Sequence, residues 1–194
     1  PSQAVRSIAA MNILSPHIPL LFMGEEWAAP QPFLYFSDAN EELADQIRKA
    51  RAEEFADSPD AKDGDRPPPD PINEGTFNAS KLDWDDLRQP FHDDWLSLYR
   101  KLLHVRRTEI TPRLEGIEGY AGHFELINER ALKVWWTLAD GSVLTMLANL
   151  SPEPLDGLNA WDAGRHLWLE GVATGNGFDP WSVVVSLTDA EPPA

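Results

Sequence analysis

His17-Ile18-Pro19-Leu20-Leu21-Phe22-Met23-Gly24-Glu25-Glu26-Trp27 is the stretch that decides how the chain is read. A short apolar run stops at a glycine and then presents two carboxylates and an indole. An α/β barrel delivers side chains to a cleft in that order, at the C-terminal ends of its strands. Residues 18–23 are therefore expected to form a strand. Near-continuous hydrophobicity implies burial on both faces, as in a parallel sheet. Pro19 is tolerated near a strand start. Neighbouring side chains on a strand point opposite ways. If the extended geometry runs past Gly24, Glu25 and Glu26 cannot both face one cleft. One faces it and the other braces the neighbouring structure. That argues against an acid/nucleophile pair, whose carboxyls stand roughly 5–5.5 Å apart or more across the bond they break.

Upstream, Ala4, Val5, Ile8, Ala9, Ile13 and Leu14 recur at helical spacing, with Ser2 as N-cap and Pro16 as the stop. The chain thus reads as opening in mid-motif, on a helix with no strand before it. Downstream, residues 28–39 form an aromatic loop, in which Phe33, Tyr35 and Phe36 either line a cleft or anchor the loop. Residues 41–56 read as a charged helix with a thin stripe of Leu43, Ile47 and Phe55. Residues 57–79, rich in Pro, Asp and Gly, form a long irregular excursion. Its Asp60, Asp63 and Asp65 do not make a calcium loop, because Lys62 and Pro71 fall where ligands are needed. Residues 91–109 are an amphipathic helix that buries Trp95, Leu98, Leu102, Leu103 and Val105, and Thr111-Pro112 closes it.

From about residue 113 the hydrophobic period changes to two. Leu132, Val134, Trp136 and Leu138 alternate with Ala131, Lys133, Trp135 and Thr137. Asp140-Gly141 signals a two-residue hairpin into residues 143–150. Further strands are expected at 122–127, 165–170 and 181–187. This half reads as an antiparallel β-sandwich with Trp135, Trp136, Trp168 and Trp181 in its core.

Composition narrows the function. Acidic residues number 32 against 16 basic, a formal net charge of -16. Such a surface repels phosphate backbones and anionic membranes, so neither nucleic acid nor membrane is an expected partner. A neutral sugar meets no such objection. There is no cysteine, which removes disulfides and thiolate chemistry. No stretch approaches the roughly 20 apolar residues of a membrane span, and no signal peptide opens the sequence. The cytoplasm is the expected compartment. His17, His92, His104, His123 and His166 are scattered without metal-binding spacing, so no metal is expected. Neither G-x-S-x-G nor a glycine-rich phosphate loop is present, and no cofactor is expected. The residues themselves leave the Glu25/Glu26 pair open between a structural role and ligand contact.

Residues 19–27 resemble the strand-8 segment of the α-amylase superfamily, glycoside hydrolase family 13. Within it, three further stretches resemble the trehalose-releasing branch: Pro32-Phe33-Leu34-Tyr35-Phe36-Ser37-Asp38, Arg51-Ala52-Glu53-Glu54-Phe55, and Thr76-Phe77-Asn78-Ala79-Ser80-Lys81-Leu82-Asp83-Trp84. Pro180-Trp181-Ser182-Val183-Val184-Val185 resembles the end of that branch's C-terminal β domain. One departure is Ala50, where the branch often has Gly. The resemblance implies an α/β plus all-β fold: residues 1–112 as the last segment of a (β/α)8 barrel, and 113–194 as a C-terminal antiparallel β-sandwich. It implies a retaining glycosidase that cleaves the α-1,4 bond beside the terminal trehalose of a maltooligosyl trehalose or related α-glucan. The family's two catalytic Asp and one Glu follow strands 4, 5 and 7. All would belong to an upstream part of the same polypeptide, so no residue of this chain is expected to be catalytic. The candidate substrate-binding residues are Glu25, Glu26, Trp27, Phe33 and Tyr35. Other readings are another enzyme of the superfamily, such as a glucan branching enzyme, and a non-catalytic carbohydrate-binding or structural module.

Overall fold

The computed structural model describes residues 2–56, 68–157, 164–171, 173–174 and 177–190. The chain divides into two compact units: Pro1–Leu21 with Leu96–Ala194, and Phe22–Trp95. The acidic run Asp60 to Asp65 lies outside the described residues.

In the first unit, α1 spans Ser2–Leu14 and buries Ala4, Ser7, Ala9, Ala10, Ile13 and Leu14. Small residues dominate that stripe, so the helix lies close against its neighbours. Val5 and Ile8, expected on the buried side, face outward instead, and Ser2 is inside the helix rather than capping it. The strand expected at 18–23 does not form. A parallel strand exists only where ladder partners do, and residues 18–23 pair with no strand among the described residues. Ile18 and Leu20 are 94% and 90% exposed.

The main sheet has five strands: β1 Gly122–Leu126, β2 Ala131–Thr137, β3 Val143–Asn149, β5 Arg165–Glu170 and β8 Ser182–Thr188. Their order is β1-β2-β3-β8-β5, every pair antiparallel. Trp136 opposes Leu144, which opposes Leu187; Val134 opposes Met146, which opposes Val185. This is one apolar face, and α1 packs on its β8 and β5 end. Gln3 and Ser7 of α1 donate to the Trp181 carbonyl, and Arg6 pairs with Glu170 at 2.8 Å.

The opposite face is covered by a second sheet of three two-residue strands, β4 Leu155–Asp156, β6 Ala173–Thr174 and β7 Gly177–Phe178. Leu155 and Phe178 meet Ala131, Leu147 and Val184 in one buried cluster. Strands this short carry no alternation, so the sequence did not announce them. The β2–β3 connection also differs from the expected two-residue turn. Leu138 and Ser142 close it, Gly141 takes φ 80°, and its N–H donates to Leu138, which makes a three-residue loop. Of the four tryptophans expected in the core, only Trp136 is fully buried; Trp135, Trp168 and Trp181 are half-buried.

α4, Pro90–Val105, buries Trp95, Leu98, Tyr99 and Leu102, whereas Leu103 is exposed. It passes into a wider π turn, Arg106–Ile110, and a 3-10 turn, Thr111–Arg113. Arg106 uses that turn to reach the carbonyls of Ile13, Ser15, Pro16 and His17. Ile13 lies in the last turn of α1, where carbonyls lack a helical partner, and the other three follow the helix. Burial lowers the Arg106 pKa from its ordinary value, the mark of a guanidinium taken out of water to hold carbonyls.

The second unit holds α2, Glu41–Ala56, with only Ala44 fully buried, and a six-residue helix α3, Glu74–Ala79, inside the expected excursion. Asn73 caps α3 through its side chain.

Candidate functional site

Glu25–Trp27 form a single 3-10 turn rather than the end of a strand. Gly24 enters it at φ 89°, and a Cβ there would stand 2.8 Å from Leu82 Cδ2 and 2.9 Å from Ala29 Cβ. Only glycine fits both the angle and the space. The turn leaves through Ala28 at φ 55°. The Ala29 N–H donates to Gly24 at 2.9 Å and the Ala28 N–H to Glu25 at 3.0 Å. That nested pair is the arrangement that closes a helix end through a left-handed residue.

Both glutamates serve this turn. Glu25 Oε2 accepts from the Phe22 N–H, and Glu26 Oε2 from the Gly24 N–H, each at 2.9 Å. The alternation expected of a strand does not apply, because the backbone is coiled here. Both carboxylates turn back on the backbone.

Trp27 is 3% exposed and packs on Trp84, with ring centroids 5.0 Å apart. Its carbonyl meets His92 Nδ1 at 2.6 Å, while its indole N–H has no acceptor among the described residues. Trp84, 64% exposed, presents the surface that Trp27 supports.

The aromatic loop forms a row of edge-to-face rings: Phe22 with Phe33 at 5.1 Å, Phe33 with Phe36 at 6.3 Å, and Phe36 with Phe77 at 4.9 Å. Tyr35 lies apart, with the Arg51 guanidinium 4.9 Å over its ring. Ser80 ties the loop down: the Leu34 N–H donates to its hydroxyl, which donates to the Thr76 carbonyl.

Two cavities flank the Phe36–Phe77 pair. One, of about 360 Å³, is lined by Met23, Phe36, Phe77, Lys81, Leu82 and Trp84. The other, of about 550 Å³, lies against Phe36, Ser37, Asp38, Asn73, Glu74 and Phe77. Of the five candidate binding residues, none lines either cavity. Glu25, Glu26 and Trp27 hold the turn beside Met23, Phe33 stands in the ring row, and Tyr35 is stacked under Arg51. Phe36, Phe77 and Trp84 are the exposed rings at the cavities. Their signal in the sequence was an aromatic at each of three separated positions, and nothing local joined them.

No group of three or more His, Asp or Glu side chains among the described residues is placed to hold a metal ion. No described helix is long and apolar enough to cross a membrane.

Residues 120–185 match the family described as "Domain of unknown function (DUF3459)". Malto-oligosyltrehalose trehalohydrolase of Deinococcus radiodurans is 42% identical over 100 residues, which is 52% of this chain and 16% of that protein. The enzyme of the same name from Saccharolobus solfataricus is 37% identical over 106 residues, 54% of this chain and 16% of that protein. These matches therefore span about a sixth of the relatives' length. A crystal structure from Salmonella typhimurium, provisionally described as an alpha amylase, superposes with a TM-score of 0.86 at 31% identity. It covers 97% of this chain and 31% of that one. Trehalulose synthase MutB from Pseudomonas mesoacidophila MX-45 shares the fold, at a TM-score of 0.51 and 18% identity, over 95% of this chain and 38% of that one.

Proposed function

From the similarity of this chain to malto-oligosyltrehalose trehalohydrolases in sequence and to an α-amylase-like protein in fold, we propose that it is part of an α-amylase-family glycoside hydrolase. The reaction in this reading is cleavage of the α-1,4 bond next to the terminal trehalose of a maltooligosyl trehalose, releasing trehalose. Residues 1–112 derive from the barrel and 113–194 form the C-terminal sandwich, in a cytoplasmic enzyme. Catalytic carboxylates come from elsewhere in the polypeptide, and bond breaking follows the retaining, two-carboxylate course.

One observation carries the reading: the Gly24 turn, braced by Glu25 and Glu26, sets Trp27 behind the exposed Trp84 at the 360 Å³ cavity. Each carboxylate is engaged by a backbone amide of its own turn. The two glutamates therefore shape a cleft wall. Trp84, Phe36 and Phe77 offer flat apolar faces on which a sugar ring can lie. Phe33, in the same row, and Tyr35, under Arg51, hold the loop that carries Phe36.

The test is trehalose release from maltooligosyl trehalose. A polypeptide containing this chain and its barrel should release it, and residues 1–194 alone should not. Transfer of glucan chains without trehalose release would instead identify a branching enzyme. Trehalose release by residues 1–194 alone would overturn the assignment of the catalytic carboxylates.

A further inference from the structure

The two edges of the five-stranded sheet differ. β5 carries a break in register between His166 and Trp168. An irregularity of that kind twists an edge away from new partners. β1 has none: Gly122 to Leu126 pair with β2 in continuous register, and every residue of the strand is exposed. Its outer side pairs with no strand among the described residues. Neither proline nor lysine stands in it. An uninterrupted, exposed edge is a template for another strand.

The hydrogen bonds fix which groups are on offer. The Thr137 N–H donates to the Ala121 carbonyl, and the Ile127 N–H to the Ala131 carbonyl. Backbone groups alternate along an antiparallel strand, so His123 and Glu125 also turn theirs toward β2. Gly122, Phe124 and Leu126 therefore turn N–H and C=O outward. Their positions share one face, where Phe124 is 71% and Leu126 67% exposed. His123 and Glu125 occupy the other face. His123 stacks on Trp135, with ring centroids 5.5 Å apart, and Glu125 stands opposite Lys133.

We propose that β1 pairs with β1 of a second copy of this chain, antiparallel about a two-fold axis at Phe124, joining two five-stranded sheets into one. The strand is complementary to itself in this register, and that selects the occupant. Phe124 meets its own copy and Gly122 meets Leu126, so every outward N–H and C=O is satisfied. Leu126 then covers a position that has no room for a side chain of its own, since a Cβ at Gly122 would stand 2.7 Å from Trp136 Nε1. On the other face each His123 stands directly opposite a Glu125. Theirs is a non-hydrogen-bonded pair, in which Cα atoms approach to about 4.5 Å, so imidazole and carboxylate meet twice. A slip by two residues would set Glu125 against Glu125 or His123 against His123, so charge fixes the register. The formal net charge of -16 on each chain opposes association. Physiological salt screens it beyond about 8 Å, outside the strand contacts.

The test is sedimentation velocity of the complete polypeptide at physiological salt, with circular dichroism to confirm the fold of each variant. Wild type should sediment as a dimer. Phe124→Pro removes the central outward N–H and should give monomer. His123→Glu sets carboxylates against Glu125, and Glu125→Lys sets ammonium groups against His123. The symmetry counts each change twice, so each should weaken the dimer about tenfold. An equimolar mixture of these two single variants should recover the dimer, because the new carboxylate of one chain faces the new ammonium of the other. A wild type that is monomeric at about 0.1 mM would overturn the proposal. So would dimers that persist in all three variants, or a mixture no more dimeric than its components.

Discussion

The His92 ring holds the carbonyl of Trp27, with Nδ1 and oxygen 2.6 Å apart and both groups buried. A carbonyl only accepts, so Nδ1 carries the proton. The bond links α4 to the exit of the Gly24 turn across 65 positions of sequence. His92→Ala strands a buried carbonyl and opens a void, so it should cost about 2–4 kcal/mol. Urea unfolding of the variant, followed by tryptophan fluorescence, measures this. An unchanged midpoint would remove His92 from the support of the turn.

Gly24→Ala adds a Cβ at φ 89° within 3 Å of Leu82 and Ala29. Strain and overlap together should cost roughly 2–4 kcal/mol. Leu82→Ala in the same background should recover part of that loss, a coupling that a double-mutant cycle detects. Ala28→Gly relieves the left-handed penalty at φ 55° and should be neutral or slightly stabilising.

Glu26→Gln and Glu26→Ala separate bracing from chemistry. A glutamine oxygen still accepts from the Gly24 N–H, whereas alanine leaves it without its partner. In the complete polypeptide, Glu26→Gln should keep kcat within about threefold of wild type, well short of the 100-fold or more lost with a general acid. Glu26→Ala should raise KM. A loss of kcat of about 100-fold in Glu26→Gln would make the carboxylate a participant in bond breaking.

Arg106→Ala removes the donor that gathers the carbonyls at the end of α1, and should destabilise the first unit by about 2–3 kcal/mol. Arg106→Lys keeps the charge but not the planar fork, so it should restore only part. Hydrogen exchange at Ile13 to His17 should quicken in both variants. Protection as in wild type would show that the α1 end stands without the clamp.

Glu109 gives a pH signature. The hydrogen bond from Arg165, at 2.7 Å, is the largest cause holding its pKa below the ordinary value. The folded pKa is depressed, so the stabilisation is complete above the unfolded pKa of about 4.3 and is lost as pH falls through the lower folded value. Glu109→Gln should therefore flatten the decline in Tm as pH falls from about 5 into the acid range. A slope equal to that of wild type would show that the pair contributes nothing.

Much of the fold was legible because it rests on local repetition. The alternation in residues 131–138, 143–150 and 181–187 announced β2, β3 and β8 nearly to the residue. The stripe through Trp95, Leu98 and Leu102 announced α4. Other features had no such period. The two-residue strands β4, β6 and β7 exist because Leu155 and Phe178 close over Leu147 and Val184. The π turn at Arg106–Ile110 reads as plain helix until its contact with the α1 carbonyls is seen.

For the opening stretch, the residues alone determined that an apolar run must break at Gly24 and hand over to Glu25, Glu26 and Trp27. They also determined the chemistry on offer: carboxylates, indoles and phenyl rings, with no thiol and a net charge of -16. Only the tertiary structure decided what those groups do. It coiled the backbone, turned both carboxylates onto their own amides, buried Trp27 behind Trp84, and brought Phe36 beside Phe77. A strand needs a partner and a ring pair needs two distant segments, and neither is a property of any one stretch of sequence.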